Sequence, residues 1–98
     1  MEKGTPHYPL STIKALIHDG QVRATSIARK GATSLGFDFD DMLAIILTLG
    51  ATDFHKSMTT HIDHRVWQDV YHPITPKGDV YLKLTVIDGV LIVSFKEL

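Results

Sequence analysis

The sequence predicts an α+β fold, with three N-terminal helices packed on one face of a C-terminal antiparallel β-sheet. Two observations carry this. Apolar residues recur at helical spacing as far as Leu49 and at a spacing of two from Phe54 onward. The helical and extended segments are segregated along the chain, which argues against an alternating βαβ nucleotide fold. Length sets the scale: 98 residues fit a single domain, residues 1–98, with one modest core. With 44% apolar and 21% charged residues, the chain has the composition of a globular protein, not a disordered one.

A Pro-bracketed arm, Pro6 to Pro9, leads to Ser11, a good N-cap residue. Ile13, Leu16 and Ile17 then recur at helical spacing before Gly20 stops the helix. Residues 21–24 are too short to type. Residues 26–35 read as a helix with Gly31 as a weak interior point and Gly36 as its stop. The third helix is capped by Asp38, carries Asp40 and Asp41 at its positive end, brackets them with Phe37 and Met42 at hydrophobic-staple positions, and ends near Gly50. Capping explains this acidic run better than a metal site, because calcium-loop spacing is not completed downstream.

Four strands are expected at residues 54–60, 66–72, 80–87 and 90–96, where β-branched and aromatic residues concentrate. Asp88-Gly89 signals a two-residue type I′ turn that pairs Ile87 with Val90. Counting outward, Val86 faces Leu91, Leu84 faces Val93 and Leu82 faces Phe95 on an apolar side. The opposite side pairs Thr85 with Ile92, Lys83 with Ser94, and Tyr81 with Lys96. In the 66–72 strand, Trp67, Asp69 and Tyr71 share one side, and Val66, Gln68 and Val70 the other. Burying the aromatic side turns Gln68 outward and obliges Asp69 to find a hydrogen-bond partner inside.

Several function classes fall away. The absence of cysteine removes disulfide scaffolds, thiolate metal sites and thiol nucleophiles. The longest apolar stretch, residues 42–49, is far below the ~18 to 20 residues that span a bilayer. The start of the chain has no apolar signal core, so a cytoplasmic protein without membrane contact is expected. A net charge of -1 does not advertise a nucleic-acid binder, so any anion site must come from local placement. His61-Ile62-Asp63-His64 superficially suggests a metal site, with His55 and His72 nearby in sequence, but it lies between strands and reads as an exposed loop. The wet side of the final hairpin offers Tyr81, Lys83 and Lys96, a platform of cations and a phenol suited to phosphate ester chemistry.

The segments Lys56-Ser57-Met58-Thr59-Thr60, Trp67-Gln68-Asp69-Val70-Tyr71, Val80-Tyr81-Leu82-Lys83 and Val90-Leu91-Ile92-Val93-Ser94-Phe95-Lys96-Glu97 resemble the MqsR family of bacterial toxins. The resemblance covers essentially the whole chain and is strongest after Asp53. It implies a RelE-like mRNA endoribonuclease that needs no metal or cofactor and cleaves single-stranded mRNA, with GC-containing, GCU-like sites expected. The active-site residue types of the family fall here on Lys56, Gln68, Tyr81 and Lys96. The implied partners are mRNA and an MqsA-like antitoxin with a zinc-binding N-terminal domain and a helix-turn-helix C-terminal domain, DNA being met only through that antitoxin. The competing readings from the residues alone are a non-catalytic RNA-binding module and a protein-interaction domain with an open sheet edge.

Overall fold

The computed structural model describes residues 1–98. Helix α1 spans Leu10–His18. It starts two residues earlier than the sequence suggests, because Pro9 rather than Ser11 takes the N-cap position and its carbonyl accepts from the N–H groups of Thr12 and Ile13. Proline suits a helix start, since the N–H it lacks would have no intrahelical partner there. Helix α2, Ser26–Ser34, is capped by Thr25, whose hydroxyl accepts the Ala28 N–H at 3.0 Å. Helix α3, Phe39–Leu47, carries the reciprocal box of Asp38 and Asp41, with Phe37 and Met42 both buried as a staple requires.

Seven strands form the sheet: β1 Glu2–Lys3, β2 Val22–Ala24, β3 Phe54–Thr59, β4 Trp67–Tyr71, β5 Ile74–Thr75, β6 Gly78–Val86 and β7 Val90–Glu97. Their order is β1-β3-β4-β6-β7-β2, with β5 paired to the start of β6. The architecture is thus α+β, as expected, and consistent with a RelE-like arrangement. The expected count of four strands is corrected by three short ones, and the sheet is not purely antiparallel, because β2 runs parallel to β7. Segments of two or three residues carry no periodicity of their own. They become strands only because a folded edge stands beside them, and they leave that edge short.

The last hairpin departs from simple counting near its turn. Asp88 and Gly89 do adopt positive φ, 51° and 93°, but the strands pair Val86 with Val90 and the loop takes three residues. The neighbouring β2 segment explains the change. Gln21 accepts the Val90 N–H through its carbonyl, and the Arg23 guanidinium takes the Ile87 carbonyl, so both ends of one bond that would close a two-residue turn are captured from the side, while the Ile87 N–H turns inward to the Gly89 carbonyl. A bulge at Val93 absorbs the extra residue and restores the counted register at Lys83–Ser94, Leu82–Phe95 and Tyr81–Lys96. Consequently Ile92, not Val93, is fully buried opposite Leu84, and Val93 joins the open face.

The core lies between the helices and one face of the sheet, where Leu82, Leu84, Ile92 and Phe95 meet Ile13, Ala28, Ala32, Met42 and Ile46. Gly31 on α2 allows the closest approach: a Cβ there would sit 2.0 Å from the Phe95 carbonyl oxygen. The interior helix glycine is therefore a packing requirement. Tyr71 and Asp69 face this side, with Asp69 only 2% exposed. Its carboxylate finds the partner it needs, accepting from the Ser57 hydroxyl at 2.5 Å and from the backbone N–H groups of His7 and Tyr8 at 3.1 and 2.9 Å. That cluster ties the N-terminal arm to the sheet, and His7 stacks on Trp67 next to it.

Candidate active site

Alternation in four neighbouring strands delivers the polar side chains to the face opposite the helices. Lys56 and Met58 of β3, Gln68 and Val70 of β4, Tyr81 and Lys83 of β6, and Ser94 and Lys96 of β7 share that face. The pairing aligns Lys56, Val70, Lys83 and Ser94 in one row across the sheet. In the next row, Tyr81 lies directly opposite Lys96, whose Nζ stands 5.2 Å from the phenol ring centre. All four candidate residues, Lys56, Gln68, Tyr81 and Lys96, are therefore on one surface.

The electrostatics of this surface are cationic, with the carboxylates of Glu2 and Asp79 at its margins. Glu2 of β1 accepts a hydrogen bond from Lys56 Nζ at 2.7 Å. The bond holds the Glu2 carboxyl below the ordinary carboxylate range and Lys56 above the ordinary lysine range. Lys83 behaves in the opposite way. Burial pushes it below the usual lysine range, and the charges of Lys96 and Lys56 push it further. Lys83 stands directly opposite Val70, which is fully buried although it is outside the helix-side core.

Lys83 belongs to the site by position, yet the candidate set does not include it. Its signal was available, since hairpin counting puts it on the same side as Tyr81. Two further residues had no such signal. His55 is the extra residue of a bulge between Phe54 and Lys56, so two consecutive side chains of β3 are aimed toward the open face. His55 stacks on His72, ring centres 4.2 Å apart, and His72 in turn lies 5.8 Å from the Tyr81 ring. Burial pushes His72 below the ordinary imidazole range, with His55 and Lys56 acting in the same direction and Asp79 against it. His61 and His64, by contrast, are exposed in the β3–β4 loop, and no three His, Cys, Asp or Glu side chains converge to hold a metal ion.

Beside Gln68 and Lys83 the face drops into a groove of about 420 Å³, bordered by Met58 and Thr59 of β3, Val93 and the loop residues 60–62. The groove, the lysines and the phenol together can hold an extended polyanion and press charge and proton donors against one phosphate. Fold and site define a class: a small helix-backed sheet protein whose open face gathers lysines and a phenol beside a groove. The chain belongs to the family described as motility quorum-sensing regulator, toxin of MqsA, whose sequence model matches residues 5–97. It is 58% identical over 97 residues, 99% of each chain, to the mRNA interferase toxin MqsR of Escherichia coli (strain K12).

Proposed function

We propose that this chain is an mRNA interferase, a toxin that acts as an endoribonuclease on single-stranded mRNA in the cytoplasm, with GC-containing, GCU-like sites preferred. The observation that carries the reading is the register that aligns Lys56, Gln68, Tyr81 and Lys96 on adjacent strands of one open face. The ribose 2′-hydroxyl attacks the adjacent phosphorus, the bond to the 5′ oxygen breaks, and the products are a 2′,3′-cyclic phosphate and a free 5′-hydroxyl. DNA lacks the nucleophile.

Lys56 and Lys96 bind the phosphate and stabilise the charge that grows on its oxygens, Lys56 exchanging Glu2 for the substrate. Tyr81 donates a hydrogen bond to the phosphate or the leaving oxygen, and Gln68, with both donor and acceptor atoms, positions the backbone or a base. The partner that restrains this activity is an MqsA-like antitoxin with a zinc-binding N-terminal domain and a DNA-binding helix-turn-helix domain. Purified protein incubated with a defined single-stranded RNA in excess chelator should cut it and leave cyclic phosphate ends, while DNA of the same sequence stays intact. Loss of cleavage on chelation, restored by a divalent ion, would overturn the metal-independent mechanism.

A further inference from the structure

The proposed transesterification lacks one component. A proton must leave the 2′-hydroxyl as the O2′–P bond forms, and another must reach the 5′ oxygen as the P–O5′ bond breaks. Lysine and tyrosine side chains ordinarily titrate near ~10. Lys56, which the bond to Glu2 holds above the ordinary lysine range, is a donor and a poor acceptor. Gln68 does not titrate. Of the two nearby carboxylates, Glu2 is occupied by Lys56 and held a weak base by that bond, and Asp79 lies at the start of β6 on the far side of His72, away from Lys56.

An acceptor of the right kind stands at the edge of this set. The β3 bulge places His55 beside Lys56, exposed to solvent, and the row continues through His72 and Tyr81 to Lys96 with successive spacings of 4.2, 5.8 and 5.2 Å. Without the bulge, strict alternation would point His55 away from Lys56. Bulges occur next to active sites because they re-aim a side chain in this way. Imidazole is the side chain whose ordinary titration spans neutral pH, which suits it to taking a proton at the pH where lysine and tyrosine hold theirs.

We propose that His55 is a catalytic residue of the RNA cleavage reaction, the general base that takes the 2′-hydroxyl proton, with His72 as the ring that positions it. The proposal rests on the endoribonuclease reading. The proton accepted by His55 is returned to solvent after product release, and Tyr81 or a lysine supplies the one that goes to the 5′ oxygen. His72 suits a supporting role: its Nε2 is buried and without a hydrogen-bond partner, and its face carries His55. The charged and titratable groups around the pair are Lys56 on the same strand, Glu2 from β1, and Asp79, Tyr81 and Lys83 from β6, with Lys96 beyond them on β7.

The test is a single-turnover pH profile, from pH 5 to 9, on an RNA oligonucleotide with one cut site. The wild-type rate should rise from acid pH to a plateau, with an inflection between about pH 5 and 8. His55→Phe keeps a ring on His72 but cannot accept a proton. It should cleave about a hundredfold slower or worse, without that inflection. Its thermal midpoint, and its affinity for an RNA carrying 2′-deoxyribose at the cut site, should match the wild type. His55→Ala should be partly rescued by added imidazole, an effect that a purely structural role would not show. His55→Phe cleaving at the wild-type rate with the inflection intact would overturn the assignment alone. So would loss of the inflection in Lys83→Met with its persistence in His55→Phe, which would make the half-buried lysine the base. Failure of the wild-type protein to cut any RNA would overturn the endoribonuclease reading and this assignment together.

Discussion

At the scale of single residues, the open face is defined by pairs whose chemistry differs from their packing. Tyr81 and Lys96 face each other away from Leu82 and Phe95. If both act on one phosphate, Tyr81→Phe and Lys96→Ala should each slow RNA cleavage by about a hundredfold or more, the scale of losing one oriented donor, while the thermal midpoint stays close to wild type. The double variant should lose much less than the product of the single losses, because residues serving one transition state are not additive. Wild-type rates in both single variants would remove the pair from catalysis. Tyr71, on the other face, supplies a stability test. Burial, helped by Asp69, pushes its phenol up to about 12, and its hydroxyl has no partner. A folded-state pKa above the ordinary tyrosine value means that the stabilisation is complete below about pH 10 and is lost as pH rises toward 12. Urea midpoints of wild type and Tyr71→Phe should therefore diverge only in that window, the variant holding its stability further into alkali.

At the scale of elements, the bulges and one helix contact decide where side chains go. Val93 is the extra residue of β7, so Ile92 takes the core place that simple counting gives to Val93. Ile92→Ala should cost about 2 to 5 kcal/mol in urea unfolding, whereas Val93→Ala should stay within roughly 1 kcal/mol. The reverse order would mean that the hairpin keeps one register throughout. The approach of α2 to β7 gives a second case. In an exposed helix, Gly→Ala gains about 1 kcal/mol, but at Gly31 the added methyl would collide with the Phe95 carbonyl. Gly31→Ala should instead destabilise by about 1 to 3 kcal/mol, read by thermal or urea unfolding.

At the scale of the whole molecule, charge is nearly balanced in sum and uneven in space. The net charge is -1, yet Lys56, Lys83 and Lys96 converge on one face, while Asp38, Asp40 and Asp41 gather at the start of α3. RNA affinity should therefore fall with salt despite the acidic sum. If the three lysines each neutralise one phosphate, the slope of log affinity against log salt is about -2, from roughly 0.7 per phosphate contact on single strands. Lys83→Met should flatten that slope by about one such step in fluorescence anisotropy titrations. An affinity insensitive to salt would rule the face out as the RNA track.

Local pattern was enough to read α3 and its capping box and the pairing of Tyr81 with Lys96, whereas for Gln68 it left two orientations of the strand open. Each depends on neighbours in sequence: a cap spacing, an alternation of two, a hairpin counted from its turn. Even the need of buried Asp69 for partners could be stated in advance, because a buried carboxylate without them is too costly. The identity of those partners could not. Ser57 and the His7 and Tyr8 N–H groups reach Asp69 only once distant segments meet. The same holds for the strands β1, β2 and β5, for the capture of the Val90 N–H by Gln21, and for both bulges. Those bulges put His55 and Val93 on the open face, and no periodicity announces them. Alternation along a strand is set by the chain's own geometry, but where a ladder slips by one residue is set by which backbone groups of other strands are there to accept or donate.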